Sequence, residues 1–319
     1  MTLKTEQDKK QSFLHIFIFV RKLAEQSVSF FTFMMMRFLR FIFGFLFIAA
    51  MMMSCKKKTI EIDKRVHFEN QVNISYGKDP EQTMDLYIPN DGKEIKNVFL
   101  IVHGGGWRGG DKSILSSFIF SLMKKFPDCI FANINYRLAS SSRYALPNQT
   151  EDIHQAILFL ERKLQYKFDV ILLGNSAGGH LSMLYAYQYD QDKKIKAVIN
   201  IVGPSDLSDS NFKNYEDYSF VENHLVDPEI LSDTISMNEL ASPVHWIRKT
   251  SAPTLSFYGM KDAIIPSSQK AILDSTLDQH QVPRQSFEFN GNHVEWLKEP
   301  HSAFLINHIS EFINLLDQK

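Results

Sequence analysis

The chain has 319 residues, a formal net charge of −1, and 44% hydrophobic against 22% charged residues. That length supports one large domain or two modest ones with a sizeable core, and the composition is that of an ordinary globular protein. A near-neutral chain with no basic stripe interleaved with aromatics argues against nucleic-acid binding, and with no C-x-x-C and no H-E-x-x-H nothing indicates a metal.

In chain order, the first 55 residues differ in kind. Arg37 and Arg40 precede an apolar run from Phe41 to Met53, and Ser54-Cys55 follow. A basic segment, a short apolar core and a small residue before the break describe an export signal. The run is short for a membrane-spanning helix, which needs roughly 20 apolar residues. Cys55 behind a small residue resembles the lipobox of bacterial lipoproteins, although Met52 and Met53 stand where leucine and a small residue are more usual. The resemblance implies lipidation of Cys55 and an envelope-held chain with a membrane anchor. The alternative is a plain N-terminal anchor with an incidental cysteine. Another apolar patch, Phe13 to Val20, lies upstream of Met34, Met35 and Met36, and a translation start near residue 34 would give a compact signal. Cys129 is expected to be a buried small hydrophobe, and with Cys55 lipidated no intramolecular disulfide is expected.

Residues 56–64 read as a short polar tether, and 65–319 as the folded domain. Asn70–Gly77 and Thr83–Pro89 read as a hairpin across the turn Lys78–Gln82. Asn97 to Gly106 is a continuous apolar run ending in glycines, as a buried parallel strand would be. Helical spacing covers Lys112–Phe126, and Cys129–Leu138 is the next strand. Asn148–Lys167 is a helix with Asn148 or Thr150 as its cap. Strand Asp169–Asn175, helix Ala177–Tyr189 and strand Lys196–Pro204 follow. From about 205 to 246 the sequence is polar and irregular. Then come strand Thr254–Met260, helix Ser267–His280, strand Arg284–Gly291 and helix Ser302–Gln318. This alternation predicts an α/β fold: a mostly parallel central sheet with helices on both faces. In such sheets ligands bind at the carboxyl ends of the strands.

The chemistry-bearing residues fall at those ends. Ser176, in Gly174-Asn175-Ser176-Ala177-Gly178, follows a strand and opens a helix, the context of a nucleophile elbow; the other reading is a glycine-rich turn with an incidental serine. His103 to Trp107, "HGGGW", closes an earlier strand. Its glycines can turn backbone N–H groups toward a developing oxyanion, with the Ala177 amide completing the hole. The other reading is a flexible turn, and His103 reads as a strut of that loop. Asp262 and His293 lie just beyond two later strands, in the order Ser, Asp, His that the elbow geometry demands. Asp206 is a rival for the acid, and His180 reads as packing or capping.

With "HGGGW" stand "NYRLA", "GNSAGG", "GMKDAIIP" and "NGNHVEW". Together they resemble the esterase branch of the α/β-hydrolase superfamily, over roughly residues 65 to 319. The opening "ISYGKDPEQTMDLYIPNDG" is similar to the group that includes acetyl-xylan and feruloyl esterases, with hormone-sensitive-lipase-like and kynurenine-formamidase-like enzymes as neighbours. The resemblance implies the α/β-hydrolase fold, Ser176 as nucleophile, Asp262 as acid and His293 as base. Gly105, Gly106 and the Ala177 amide are the implied oxyanion donors, although which two of Gly104, Gly105 and Gly106 donate stays open. Val294 follows His293 where relatives often have glycine, a departure expected at the pocket rim. No cofactor is implied. The expected substrate is a small-molecule or oligosaccharide ester, with acetyl or feruloyl groups foremost. An amidase or peptidase with the same triad, and a non-catalytic binding module, remain alternatives. Phe212, Tyr215, Tyr218 and Phe220 of the insertion either hold a sugar or aryl group or form the insertion's own small core.

Overall fold

A computed structural model describes residues 58–63, 66–90, 95–214 and 217–318. The export signal, the alternative start and Cys55 all lie outside the described residues, as does Tyr215.

Nine strands form one sheet: β1 (Lys58–Asp63), β2 (Val66–Ser75), β3 (Thr83–Pro89), β4 (Asn97–Val102), β5 (Ile130–Ile134), β6 (Asp169–Asn175), β7 (Ile195–Ile201), β8 (Thr254–Gly259) and β9 (Arg284–Phe289). Their order is β1-β2-β3-β5-β4-β6-β7-β8-β9. From β5 to β9 all neighbours are parallel, and β1, β2 and β3 add an antiparallel edge. The expected tether is corrected here, because residues 58–63 pair with β2 as an edge strand. The alternation Thr59-Ile60-Glu61-Ile62-Asp63 carries that strand, behind a run of lysines that reads as linker.

The parallel strands are apolar throughout because both faces are covered. Val98, Leu100 and Val102 of β4 point into one core, and Phe99 and Ile101 into the other. β6 divides the same way, Val170 and Leu172 against Ile171 and Leu173. The first core is closed by α2 (Asn148–Leu164), α3 (Ala177–Leu184) and α6 (Ser267–Gln279). The second is closed by α1 (Ser116–Lys125) and α7 (His301–Asp317). Each fully buried aliphatic or aromatic side chain contributes about 1.5–3 kcal/mol, so two contiguous cores hold the strand ends rigidly.

Local expectations differ from the structure at two ends. Neither Asn148 nor Thr150 caps α2: the cap position is Pro147, with no side-chain cap bond. Asn148 instead accepts from Arg137 Nη1 at 2.8 Å and donates to the Tyr144 carbonyl. β5 stops at Ile134, because Asn135 and its successors leave the sheet to brace the neighbouring loop. The polar insertion holds two short helices, α4 (Tyr218–His224) and α5 (Met237–Ala241), with a 3-10 turn before, between and after them. Phe212 and Tyr218 are buried there edge to face, with centroids 5.9 Å apart, and extend the first core into the insertion.

Candidate active site

The carboxyl ends of β4, β6, β8 and β9 deliver the expected residues to one place. Ser176 joins β6 to α3 at φ 52° and ψ −124°, a conformation that a side chain rarely adopts. Such a residue costs on the order of 1–3 kcal/mol and persists only where its surroundings enforce it. The enforcement is close backbone packing. A Cβ on Gly174 would stand 2.2 Å from the Gly178 carbonyl oxygen, and one on Gly178 would stand 2.0 Å from that of Val102. Only glycine fits at either position, and the turn is thereby pressed against β4.

The serine hydroxyl lies 2.9 Å from His293 Nε2, and His293 Nδ1 lies 2.8 Å from Asp262 Oδ2. The Asp262 side chain is almost fully buried. Its other oxygen, Oδ1, accepts the amides of Ile264 and Ile265 at 2.8 and 2.9 Å. With Oδ1 held this way, Oδ2 is left for His293. That bond places the histidine proton on Nδ1 and leaves Nε2 as the acceptor facing Ser176. The loop carrying His293 is fixed from behind. Trp296 is fully buried edge to face on Phe118 of α1, 5.2 Å between centroids, and Glu295 accepts the Asn292 amide.

Asp206 has other partners: its carboxylate accepts from Ser208 and Ser242. The structure therefore brings Asp262, and not Asp206, to the histidine.

The glycine loop reaches the same point. The Gly104 amide donates to Asn175 Oδ1 at 3.0 Å and is thereby committed. Among the described residues nothing accepts from the amides of Gly105, Gly106 or Ala177. This leaves Gly105 and Gly106 as the pair able to join Ala177. Gly105 has φ 130°, and a Cβ there would stand 2.1 Å from the Gly109 carbonyl oxygen, so the loop needs glycine at that position.

His103 was expected as a strut of this loop; the braces from Gln149, Ala139 and Tyr136 were not. The Trp107 carbonyl accepts from Gln149 Nε2 at 2.6 Å and from the Ala139 amide at 2.9 Å. The Tyr136 hydroxyl donates to the His103 carbonyl, and its ring stacks on the imidazole. His103 Nδ1 donates to the Gly104 carbonyl at 2.7 Å, and burial holds its pKa below the usual histidine value. "NYRLA" is therefore loop scaffolding. Its signals in the sequence were its place after a strand and its likeness to an esterase motif.

His180 is the link between loop and insertion. Trp107 Nε1 donates to His180 Nδ1 at 3.1 Å, and His180 Nε2 donates to the Ala241 carbonyl at 2.7 Å. Burial lowers its pKa to about 4. The histidine is neutral when folded and titrates near 6.5 when unfolded. Its folded pKa is depressed, so stability is full above about pH 6.5 and falls as pH drops toward about 4. The loss approaches about 3 kcal/mol. Denaturant midpoints at about pH 7 and about pH 4.5 measure it, and a His180→Gln variant should show a smaller difference between the two.

Among the described residues no group of three His, Cys, Asp or Glu side chains could hold a metal ion. Beside the glycine loop, a groove of about 490 Å³ runs between Arg108, Ser140, Phe220, Asn223 and His224. Arg108 lies over the Phe220 ring at 4.9 Å and pairs with Asp217 at 2.6 Å.

A family model described as BD-FAE matches residues 84–277. The chain is 27% identical over 220 residues to Esterase LipC of Mycobacterium tuberculosis, covering 61% of this chain and 52% of that protein. To the isoprenylcysteine alpha-carbonyl methylesterase ICME of Arabidopsis thaliana it is 31% identical over 121 residues, covering 36% and 27%. It thus spans about half the length, or less, of these relatives. Among solved structures, a truncated carbohydrate esterase from gut microbiota superposes with a TM-score of 0.66 at 19% identity, covering 78% of this chain and 96% of that one. Esterase B from Lactobacillus rhamnosis superposes with a TM-score of 0.64 at 21% identity, covering 80% and 87%. The fold expected from the sequence resemblance, the α/β-hydrolase fold, is the fold of this chain.

Proposed function

This chain belongs to the BD-FAE family, and from that premise we propose that it is a serine hydrolase that cleaves carboxylic esters through an acyl-enzyme. The observation that carries the reading is the unbroken chain of hydrogen bonds from Asp262 through His293 to Ser176, with the Gly105, Gly106 and Ala177 amides donating to nothing among the described residues. His293 Nε2 takes the Ser176 proton as Oγ attacks the ester carbonyl. The carbonyl oxygen gains negative charge and is held by the amides of Ala177, Gly105 and Gly106. The C–O bond to the alcohol breaks as His293 returns the proton to it. Water then attacks the acyl group, again with His293 as base, and Ser176 is restored. Asp262 keeps the imidazole in its tautomer and stabilises the imidazolium.

The groove beside Arg108 supports a substrate that is polar on its alcohol side. It combines serine, asparagine and histidine side chains with a Phe220 ring that Arg108 overlies at 4.9 Å, a mixture that suits carbohydrate. The same family match and the carbohydrate-esterase neighbour favour acetyl or feruloyl esters of saccharides. A lipid anchor at Cys55 would place this activity in the cell envelope.

An ester panel tests the substrate class. Acetylated xylan, feruloyl-arabinose esters and 4-nitrophenyl acetate are compared by kcat/KM. The saccharide esters should exceed the aryl ester, because binding energy in the groove is spent at the reacting centre. Activity on the aryl ester alone would overturn the carbohydrate assignment and leave the ester hydrolase.

A further inference from the structure

A second concavity, of about 430 Å³, lies between α2 and the end of α3, and no residue of the triad, the glycine loop or the insertion lines it. Its size falls in the range of about 300–1,000 Å³ common to small-ligand sites.

A backbone irregularity builds one wall. Beyond α3 the helix continues as a π turn, Tyr185–Tyr189, closed by the Asp190 amide donating to the Tyr185 carbonyl at 3.1 Å. Such turns are rare and occur mostly singly, often at functional sites. Here the turn carries Tyr185 and Tyr189 into the cavity with ring planes 21° apart and centroids 6.4 Å apart. From α2, His154 completes the aromatic lining, with Nδ1 3.0 Å from the Tyr185 hydroxyl.

The charged groups at the edge are largely engaged from behind. Glu151 pairs with Arg137 at 3.3 Å. Both Asp190 carboxylate oxygens accept backbone amides, from Lys194 and Ile195. The Lys194 ammonium is paired with Glu161. What faces the cavity is aromatic surface with the aliphatic side chains of Pro147, Ile157 and Leu158 beside it, the Thr150 side chain, imidazole, and the exposed Gln191 and Asp192.

This lining selects by chemistry. An anion would meet the carboxylates of Glu151, Asp190 and Asp192. An apolar ligand would bury polar groups without partners, which costs about 1–3 kcal/mol for each. A cation would find two of the three acids already satisfied. A neutral pyranose fits: its C–H face lies on tyrosine, and its hydroxyls pair with amide, carboxylate and imidazole. We propose that this cavity is a second, non-catalytic site that binds neutral saccharide and holds a glycan on the protein independently of ester cleavage.

Calorimetric titration of the full chain with xylohexaose, cellohexaose and mannohexaose, and separately with spermidine, tests this. None of these carries an ester, so a failure of the hydrolase reading leaves the result intact. At least one hexaose should bind, and Tyr189→Ala and His154→Ala should each weaken it by about tenfold or more. Both variants should hydrolyse 4-nitrophenyl acetate at the unaltered rate. His154 is exposed, so its variant carries the test should Tyr189→Ala fold poorly. The proposal is overturned by any of three results: no hexaose binds, spermidine binds in their place, or binding persists in both variants and is lost with Phe220→Ala in the groove beside the glycine loop.

Discussion

Asp262→Asn lowers the turnover of 4-nitrophenyl acetate by roughly 10⁴-fold while the protein stays folded. The reason lies in what holds the carboxylate. Oδ1 accepts two backbone amides, from Ile264 and Ile265. An asparagine in the same place must turn its carbonyl oxygen toward those amides, since its NH₂ cannot accept from them. The NH₂ then faces His293 and donates to Nδ1. The imidazole proton is driven to Nε2, the atom that must accept from Ser176. The triad keeps its shape with the proton on the wrong nitrogen. Steady-state kinetics beside an unfolding curve check both halves. A loss of less than about tenfold would mean that the carboxylate does not set the tautomer.

Ser176→Ala lowers the same rate by roughly 10⁴-fold or more. Alanine removes only Oγ, and it keeps the strained φ of 52° that the neighbouring backbone imposes. Stability should therefore change by no more than about 1 kcal/mol, the net worth of one hydrogen bond. The residual rate comes from the amide donors and the binding site. Because serine, histidine and aspartate act as a unit, the double variant with Asp262→Asn should be no slower than Ser176→Ala by more than about tenfold.

The alternation of strands and helices was legible because each parallel strand is a short apolar run between turn signals. The strand order was not, since β5 and β6 both flank β4 and nothing local in their sequences says so. The edge strand β1 was hidden behind lysines, and although the start of α2 at Asn148 was read correctly, the engagement of Asn148 by Arg137 was hidden because Arg137 lies in another segment. The coming together of Ser176, Asp262 and His293 was legible from order and context alone. Asp206 satisfied the same context, and the structure separates the two: Asp262 bonds His293, while Asp206 accepts from Ser208 and Ser242. Asn175, Gln149 and the Trp107–His180 link escaped the sequence reading, because each matters through a partner between 42 and 73 residues away.

The central claim is that Ser176 is a nucleophile primed by His293, and a covalent label addresses it most directly. The full chain is treated with a fluorophosphonate, and its intact mass and peptide map are measured. One phosphonyl adduct, on Ser176, absent from Ser176→Ala and strongly slowed in Asp262→Asn, is the result expected. An adduct on another residue, or none on a folded protein, would contradict the account.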